Sequence, residues 1–294
     1  MKVLITGGTG TIGGLLTREL QERGTTVRVL TRKTPEAGKV PSDVEIAVTD
    51  RLDPTSVELA MEGVDKLFLL NAVSADELTQ ALIALSAAKR SGIRHITYLS
   101  VLQVERFPDV PHFAAKRAVE IALEDSGVQH TNLRPGYFFQ NDIWVKEAIM
   151  KAGRYPMPIG TAGIAGIDAR DIAEAAAITL SNEGHDGKTY DLTSAQLLSG
   201  PHNAAVWSKL LGRDVHYGGH DFDAFQQHLQ TYLPAWNAFD ISKMFQGFFE
   251  RGMTTTDVEV SRLSKLLGHA PRTYQQFAEE VAGEWSAESD GARP

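Results

Sequence analysis

The chain has 294 residues, of which 43% are hydrophobic and 22% are charged, and its formal net charge is −8. This composition is that of an ordinary globular protein and excludes disordered, collagen-like and coiled-coil chains. The negative charge argues against nucleic acid as a partner. The absence of cysteine removes disulfides, thiolate metal sites and cysteine nucleophiles.

The first half of the chain alternates short strand-like runs with longer helical patterns, which is typical of β-α units around a parallel sheet. Strands are predicted where brief apolar runs suit burial on both faces: 2–6, 26–31, 44–48, 66–71, 95–100 and 130–134. Helices are predicted where apolar residues recur at helical spacing: 14–23, 54–61, 75–91 and 114–126. The pattern predicts an α/β protein with a Rossmann-type, doubly wound parallel sheet.

The second half of the chain has a looser pattern. It predicts a helix over 169–180, a strand over 189–193 and a last helix over 273–285 with a frayed tail. We expect a Rossmann domain over 1–150 and a smaller, mixed α/β C-terminal lobe over 151–294 that binds the substrate, interleaved as one compact unit. The first strand begins at Lys2 and no apolar run is long enough to span a bilayer, so we expect a cytoplasmic protein with no membrane contact.

A glycine-rich turn follows the first strand, with the spacing Gly-x-x-Gly-x-x-Gly over Gly7, Gly10 and Gly13. The unpaired N–H groups and the positive dipole end of the next helix would face an anion there. Gly7 permits a tight turn, Gly10 lets the backbone approach a pyrophosphate, and Gly13 lets the helix pack closely on the strand. The sequence therefore predicts a dinucleotide site that also includes Thr9, Thr11 and Ile12.

The end of the second strand indicates which dinucleotide is bound. An acidic residue there would bind a ribose 2′-hydroxyl, whereas the sequence reads Thr31-Arg32-Lys33. These residues predict a 2′-phosphate site and hence NADP(H), unless the two cations are only solvated loop charges. Asp50 is predicted to contact the adenine, and Asn71 and Ala72 to line the nicotinamide side, because ligands bind at the carboxyl ends of parallel strands.

Further motifs accompany the glycine turn across nearly the whole chain: Thr31-Arg32, Tyr98-Leu99-Ser100, LRPGYFFQN at 133–141, GIDARDIA at 166–173 and LGHAPRTYQQFA at 267–278. With the turn, they resemble the NmrA-like group of atypical short-chain dehydrogenase/reductases. That group includes NADPH-dependent quinone reductases, isoflavone-type reductases and a redox-sensing transcriptional regulator. The resemblance implies the fold and nucleotide binding but no particular substrate.

The resemblance also implies candidate catalytic residues. Where short-chain dehydrogenases carry Tyr-x-x-x-Lys, this chain reads His112-Phe113-Ala114-Ala115-Lys116, so the lysine is kept and the tyrosine is missing. Lys116 would hold the nicotinamide ribose, and His112 would donate a proton or only line the site. Ser100 would bind a substrate carbonyl or bond to nearby backbone, and Tyr137 is a second candidate proton donor.

These features favour an NADPH-dependent reductase of a small electron-poor substrate such as a quinone or enone. The aromatic stretch from Trp236 to Phe249 is either core or a site for an aromatic substrate. The missing tyrosine leaves a non-catalytic NADP(H) sensor as the alternative, with a nucleotide-sugar epimerase or dehydratase ranked third. We expect no metal, because no metal-ligand spacing is found, and a monomer or homodimer.

Overall fold

The strands were located in a computed structural model that describes residues 1–291. In chain order they are β1 (Lys2–Thr6), β2 (Thr26–Thr31), β3 (Glu45–Val48), β4 (Lys66–Leu69), β5 (His95–Leu99), β6 (Gln129–Pro135), β7 (Tyr137–Phe138), β8 (Arg154–Tyr155), β9 (Ile164–Ile167), β10 (Lys188–Leu192), β11 (Leu197–Leu198) and β12 (His216–Tyr217).

The α-helices are α1 (Thr11–Glu22), α2 (Pro54–Ala60), α3 (Glu77–Arg90), α4 (Pro111–Ser126), α5 (Lys146–Ala152), α6 (Ala169–Ser181), α7 (Gly200–Leu211), α8 (Phe222–Leu229), α9 (Ala235–Arg251), α10 (Asp257–Leu267) and α11 (Tyr274–Gly291). Two 3₁₀ helices cover Val104–Arg106 and Phe139–Val145. Among the described residues, no helix combines the length and the apolar character needed to cross a membrane.

The chain folds into two compact units. Unit 1 consists of Met1–Pro135, Ala169–Leu192 and Arg262–His269. Unit 2 consists of Gly136–Asp168, Thr193–Ser261 and the described residues from Ala270 onward. The sequence pattern placed a division near residue 150, whereas the chain first leaves unit 1 after Pro135 and returns to it twice.

Unit 1 is built on a seven-stranded sheet in the order β10-β6-β5-β4-β1-β2-β3. Every neighbouring pair is parallel. The strand order reverses at β1, because β2 lies on one side of it and β4 on the other. Open sheets of this kind bind ligands beyond the carboxyl ends of the strands at the reversal. The predicted Rossmann-type architecture is confirmed.

Burial explains most of the strands. All five residues of β5 are buried, and the core on one face of the sheet includes Leu4, Leu67 and Tyr98. The edge strand β3 differs, because Ile46 is 39% and Val48 54% exposed. The prediction that each strand is covered on both faces is therefore wrong for β3, which packs on one face only.

Unit 2 contains a three-stranded sheet, β11-β9-β7, a two-stranded sheet, β12-β8, and several helices that the sequence pattern did not predict. In α9 the aromatic residues do not all lie on the buried face, so the apolar positions do not repeat at helical spacing in the sequence. Phe245 and Phe248 are buried, whereas Trp236 and Phe239 are 40% and 43% exposed. Helix α11 continues to Gly291, so the prediction of a frayed tail after Trp285 is wrong within the described residues.

Candidate functional site

The glycine turn joins β1 to α1. Gly7 has φ +71°, and its carbonyl accepts a hydrogen bond of 3.0 Å from the Gly10 amide. A Cβ atom on Gly13 would lie 2.3 Å from the Gly7 oxygen and 2.6 Å from the Gly8 Cα. Gly13 is therefore needed because the helix begins against the backbone of the turn itself, which is a closer constraint than the helix–strand packing expected from the sequence.

The N-terminus of α1 is open. No side chain of the described residues caps it, and Thr9, Gly10 and Thr11 are exposed. A Cβ on Gly10 would meet only the Gly7 oxygen, at 3.4 Å, so the space in front of it is clear. Ile12 is buried. This end of the helix can receive an anion such as a pyrophosphate.

Cations follow the carboxyl end of β2. Arg32 and Lys33 are exposed and form no ion pair with any residue in the described part of the chain. Thr31 is buried, and its hydroxyl donates a 2.6 Å hydrogen bond to the Lys33 carbonyl, which orders the loop. On the neighbouring loop, the Asp50 carboxylate accepts a hydrogen bond from the Leu52 amide. The basic end of β2 thus stays available to an anionic group.

A buried amide lies at the carboxyl end of β4. The Thr6 hydroxyl bonds both the amide and the carbonyl of Leu70, and this fixes the chain just before Asn71. Asn71 is 6% exposed, and its buried Oδ1 atom has no hydrogen-bond partner among the described residues. Ala72 is exposed. An unpaired buried acceptor is rare, and it indicates a ligand donor at this position.

Lys116 lies in a buried ion pair that the sequence reasoning missed. Its Nζ atom is 2.8 Å from Oε1 of Glu77, and both side chains are at least 90% buried. The lysine also lies 6.0 Å from the ring centroid of Tyr98. A signal was present, because Glu77 shares the buried face of α3 with Ala81, Ala84 and Ala88. A carboxylate on such a face needs a partner.

A second charged group lies one turn further along α4. Burial raises the pKa of Glu120, but the hydrogen bonds from Arg134 and the charge of Arg134 outweigh it and leave the pKa below its ordinary value. Arg134 donates to both carboxylate oxygens of Glu120. Ser100 is buried, and its hydroxyl oxygen has no hydrogen-bond partner among the described residues. The local backbone role considered for Ser100 is therefore not observed.

The two candidate proton donors lie in different units. His112 is half-buried in the first turn of α4, one turn before Lys116. Tyr137, in unit 2, is 5% exposed and packs edge-on against Phe245, with 6.0 Å between ring centroids. Burial, together with the charge of Asp142, raises the pKa of Tyr137 well above its ordinary value, and its hydroxyl makes no hydrogen bond of good geometry. Tyr137 is therefore a weak acid.

Another buried carboxylate organises unit 2. Asp142 is fully buried and accepts hydrogen bonds from Tyr155, Trp207 and Tyr274. Burial raises the pKa of Asp142 to about 6, although the three donors oppose the shift. These three hydrogen bonds link Asp142 to β8, α7 and α11. We assign it a structural role.

A group of possible metal ligands occurs in unit 1. Asp171, Glu174 and His269 offer ligand atoms within 4.8 Å of one another. Both oxygens of Glu174 lie 3.1 Å from Nε2 of His269, so a protein ion pair already uses two of the three side chains.

Comparison with known proteins places these features in a family. The family model described as the NmrA-like family matches residues 1–279. The chain is 29% identical over 294 residues to an NAD(P)H azoreductase of Xenophilus azovorans, covering 97% of this chain and 99% of the relative. It is 28% identical over 289 residues to a Streptomyces griseus (4-alkanoyl-5-oxo-2,5-dihydrofuran-3-yl)methyl phosphate reductase, covering 97% of this chain and all of the relative.

A solved structure agrees with the same grouping. The NADPH-dependent quinone oxidoreductase QOR2 of Escherichia coli, in complex with NADPH, superposes with a TM-score of 0.85 at 26% identity. The match covers 95% of this chain and 99% of QOR2. With the parallel sheet, the glycine turn and a family match over most of its length, the chain belongs to the NmrA-like family.

Proposed function

We propose that this protein is an NADPH-dependent reductase that acts on a small electron-poor acceptor such as a quinone or enone. The observation that carries the proposal is the set of unsatisfied groups along one edge of the sheet of unit 1. It comprises the uncapped N-terminus of α1, the unpaired cations Arg32 and Lys33, and the orphaned Oδ1 atom of Asn71. These groups match the pyrophosphate, the 2′-phosphate and the amide donor of the nicotinamide.

The relatives support the reaction class. One is named an NAD(P)H azoreductase, one reduces an unsaturated furanone ester and one is an NADPH-dependent quinone oxidoreductase. Their named substrates share a conjugated, electron-poor bond. When bound, the cofactor supplies a hydride, and the protein supplies position and polarisation.

The chain's own residues divide the remaining tasks. We propose that Lys116, which pairs with Glu77, donates a hydrogen bond to the nicotinamide ribose. His112 is the better candidate to deliver a proton to the reduced substrate, because burial makes Tyr137 a weak acid. Ser100 would donate to a substrate oxygen while Glu120 and Arg134 fix its surroundings.

We also propose a flat, conjugated substrate. In unit 2, Trp236 and Phe239 of α9 are 40% and 43% exposed, whereas Phe245 and Phe248 are buried, so the aromatic stretch of α9 is partly core and partly surface. Exposed rings can stack on a planar acceptor. A quinone needs little acid assistance, and this suits a site in which histidine stands where the larger superfamily has tyrosine. A cytoplasmic location and a monomeric or homodimeric state stay predictions.

The test is NADPH oxidation, followed by absorbance, against a panel of quinones, enones and azo compounds. Wild-type protein is compared with Lys116→Met, His112→Phe and the control Lys89→Ala, an exposed lysine at the end of α3. We expect turnover in the wild type and the control, a large loss in Lys116→Met, and a loss in His112→Phe. Tight NADPH binding with no acceptor reduced would overturn the proposal in favour of the NADP(H) sensor. Turnover of a nucleotide sugar alone would favour the epimerase or dehydratase.

A further inference from the structure

A second arginine lies beside the predicted 2′-phosphate site. Arg32 follows β2 directly, and Arg51 follows β3, its neighbour in the sheet. The two loops begin side by side, because the Thr49 amide donates a 2.8 Å hydrogen bond to the Thr31 carbonyl. The register of the two strands therefore brings both arginines to the same corner of unit 1.

The Arg51 guanidinium is not fully hydrogen-bonded by the described residues. It is half-buried, its Nε atom is fully buried, and that atom has no hydrogen-bond partner among the described residues. No ion pair or side-chain hydrogen bond involves Arg51 or Arg32 in the part of the chain that the structure describes. Burial lowers the pKa of Arg51, and the neighbouring charge of Arg32 lowers it further. A half-buried, unpaired guanidinium beside a like charge is costly unless an anion binds it.

Other arginines of unit 1 have the carboxylate partner that Arg51 lacks among the described residues. Arg28, Arg90, Arg94 and Arg134 each contact a carboxylate at 2.7–2.8 Å. The acid that acts on Arg51 is Asp76, and it does so only through its charge at longer range. Its carboxylate oxygen Oδ1 already accepts hydrogen bonds from Ser74 at 2.7 Å and Gln80 at 2.8 Å. Among the described residues, Arg51 therefore has no direct partner.

We infer that Arg51 acts with Arg32 as a two-arginine clamp on the 2′-phosphate of NADP(H) and so determines the preference for NADP(H) over NAD(H). The inference rests on the proposed function for the nucleotide and adds a residue that the sequence pattern did not suggest. A guanidinium presents a planar fork of donors that suits phosphate oxygens. Two of them would neutralise a phosphate that carries close to two negative charges.

The probes are adenosine 2′,5′-bisphosphate and adenosine 5′-monophosphate, which differ by the 2′-phosphate. Their affinities for Arg51→Ala, Arg51→Lys and wild-type protein are measured by titration calorimetry. The matched control is Arg23→Ala, an exposed arginine at the other end of α1. Loss of one charge-assisted contact should weaken binding of the bisphosphate about 10- to 100-fold in Arg51→Ala. The monophosphate should change less than about twofold, and Arg51→Lys should fall between, because lysine keeps the charge without the fork.

Two further readouts separate a binding role from misfolding. The salt dependence of bisphosphate affinity should be shallower in Arg51→Ala than in the wild type, because one phosphate contact is lost. The thermal midpoint of the ligand-free variant should equal or exceed that of the wild type, since an unpaired charge has been removed. A lower midpoint, with all affinities changed in proportion, would overturn the inference.

The outcomes distinguish this inference from the proposed function. An equal loss for both probes in Arg51→Ala would mean that Arg51 contacts the adenine, and would overturn the clamp while leaving the reductase intact. No change in either affinity would also overturn it. Failure of the wild type to bind adenosine 2′,5′-bisphosphate would instead refute the NADP(H) site itself.

Discussion

The buried ion pair between Glu77 and Lys116 offers a direct test of how the candidate site is held. The pair spans 2.8 Å, with 3% and 10% of the two side chains exposed. Removing one member of a buried pair leaves an uncompensated charge and costs about 3–5 kcal/mol. We therefore expect Glu77→Leu and Lys116→Met each to lower the free energy of unfolding by about that amount. Glu77→Leu should also weaken NADPH binding, because the lysine is no longer held in place.

The assay is a double-mutant cycle by urea unfolding at neutral pH. The double variant Glu77→Leu/Lys116→Met replaces the pair by apolar groups of similar size, and such replacements are often nearly neutral. We expect the double variant to be at least ~2 kcal/mol more stable than the sum of the single effects implies. The control cycle uses the exposed pair Glu58 and Arg90, where the coupling should be below about 1 kcal/mol. Additive effects at Glu77 and Lys116 would refute the reasoning.

Gly13→Ala should weaken NADPH binding at least about tenfold, because the added Cβ would lie 2.3 Å from backbone of the turn. The control Gly14→Ala, whose Cβ would have its nearest contact at 3.9 Å, should bind NADPH normally. Equal affinities of the two variants in a fluorescence titration would contradict this prediction. Asp142 has its folded-state pKa raised from 3.8 to about 6, so its stabilising contribution is complete below pH 3.8 and is lost as the pH rises to about 6. The wild type should lose up to about 3 kcal/mol relative to Asp142→Asn over that interval by urea unfolding, and parallel pH profiles would refute the assignment. The pH dependence of stability that arises from His95 has the opposite sign, because burial lowers its pKa from 6.5 to about 4. The stabilising contribution of His95 is therefore present above pH 6.5 and is lost as the pH falls towards 4. His95→Gln should flatten that acid limb, and an unchanged limb would show that His95 does not titrate there.

The local elements of unit 1 could be predicted from the sequence because their signals are short-range. The bounds of β1 and β2 match the apolar runs at 2–6 and 26–31, and glycine follows several helices where a left-handed residue is needed. The glycine turn could be identified for the same reason, since a strand, a tight turn and a helix start within a few residues of one another. The 2′-phosphate role of the cations after β2 could be predicted because parallel strands present their carboxyl ends to ligands.

Tertiary structure decided the groups whose members are far apart in the chain. Glu77 and Lys116 are separated by 39 residues, and Asp142 and Tyr274 by 132, so no periodicity in the sequence could pair them. The corner shared by Arg32 and Arg51 depends on the register of β2 against β3. The division of the aromatic residues of α9 between core and surface depends on which neighbours cover each face. Sequence by itself determined the kind of fold and the nucleotide turn, because these follow from local geometry and patterning. Which buried charges are paired, and which are left for a ligand, was decided only when the strands and helices packed together.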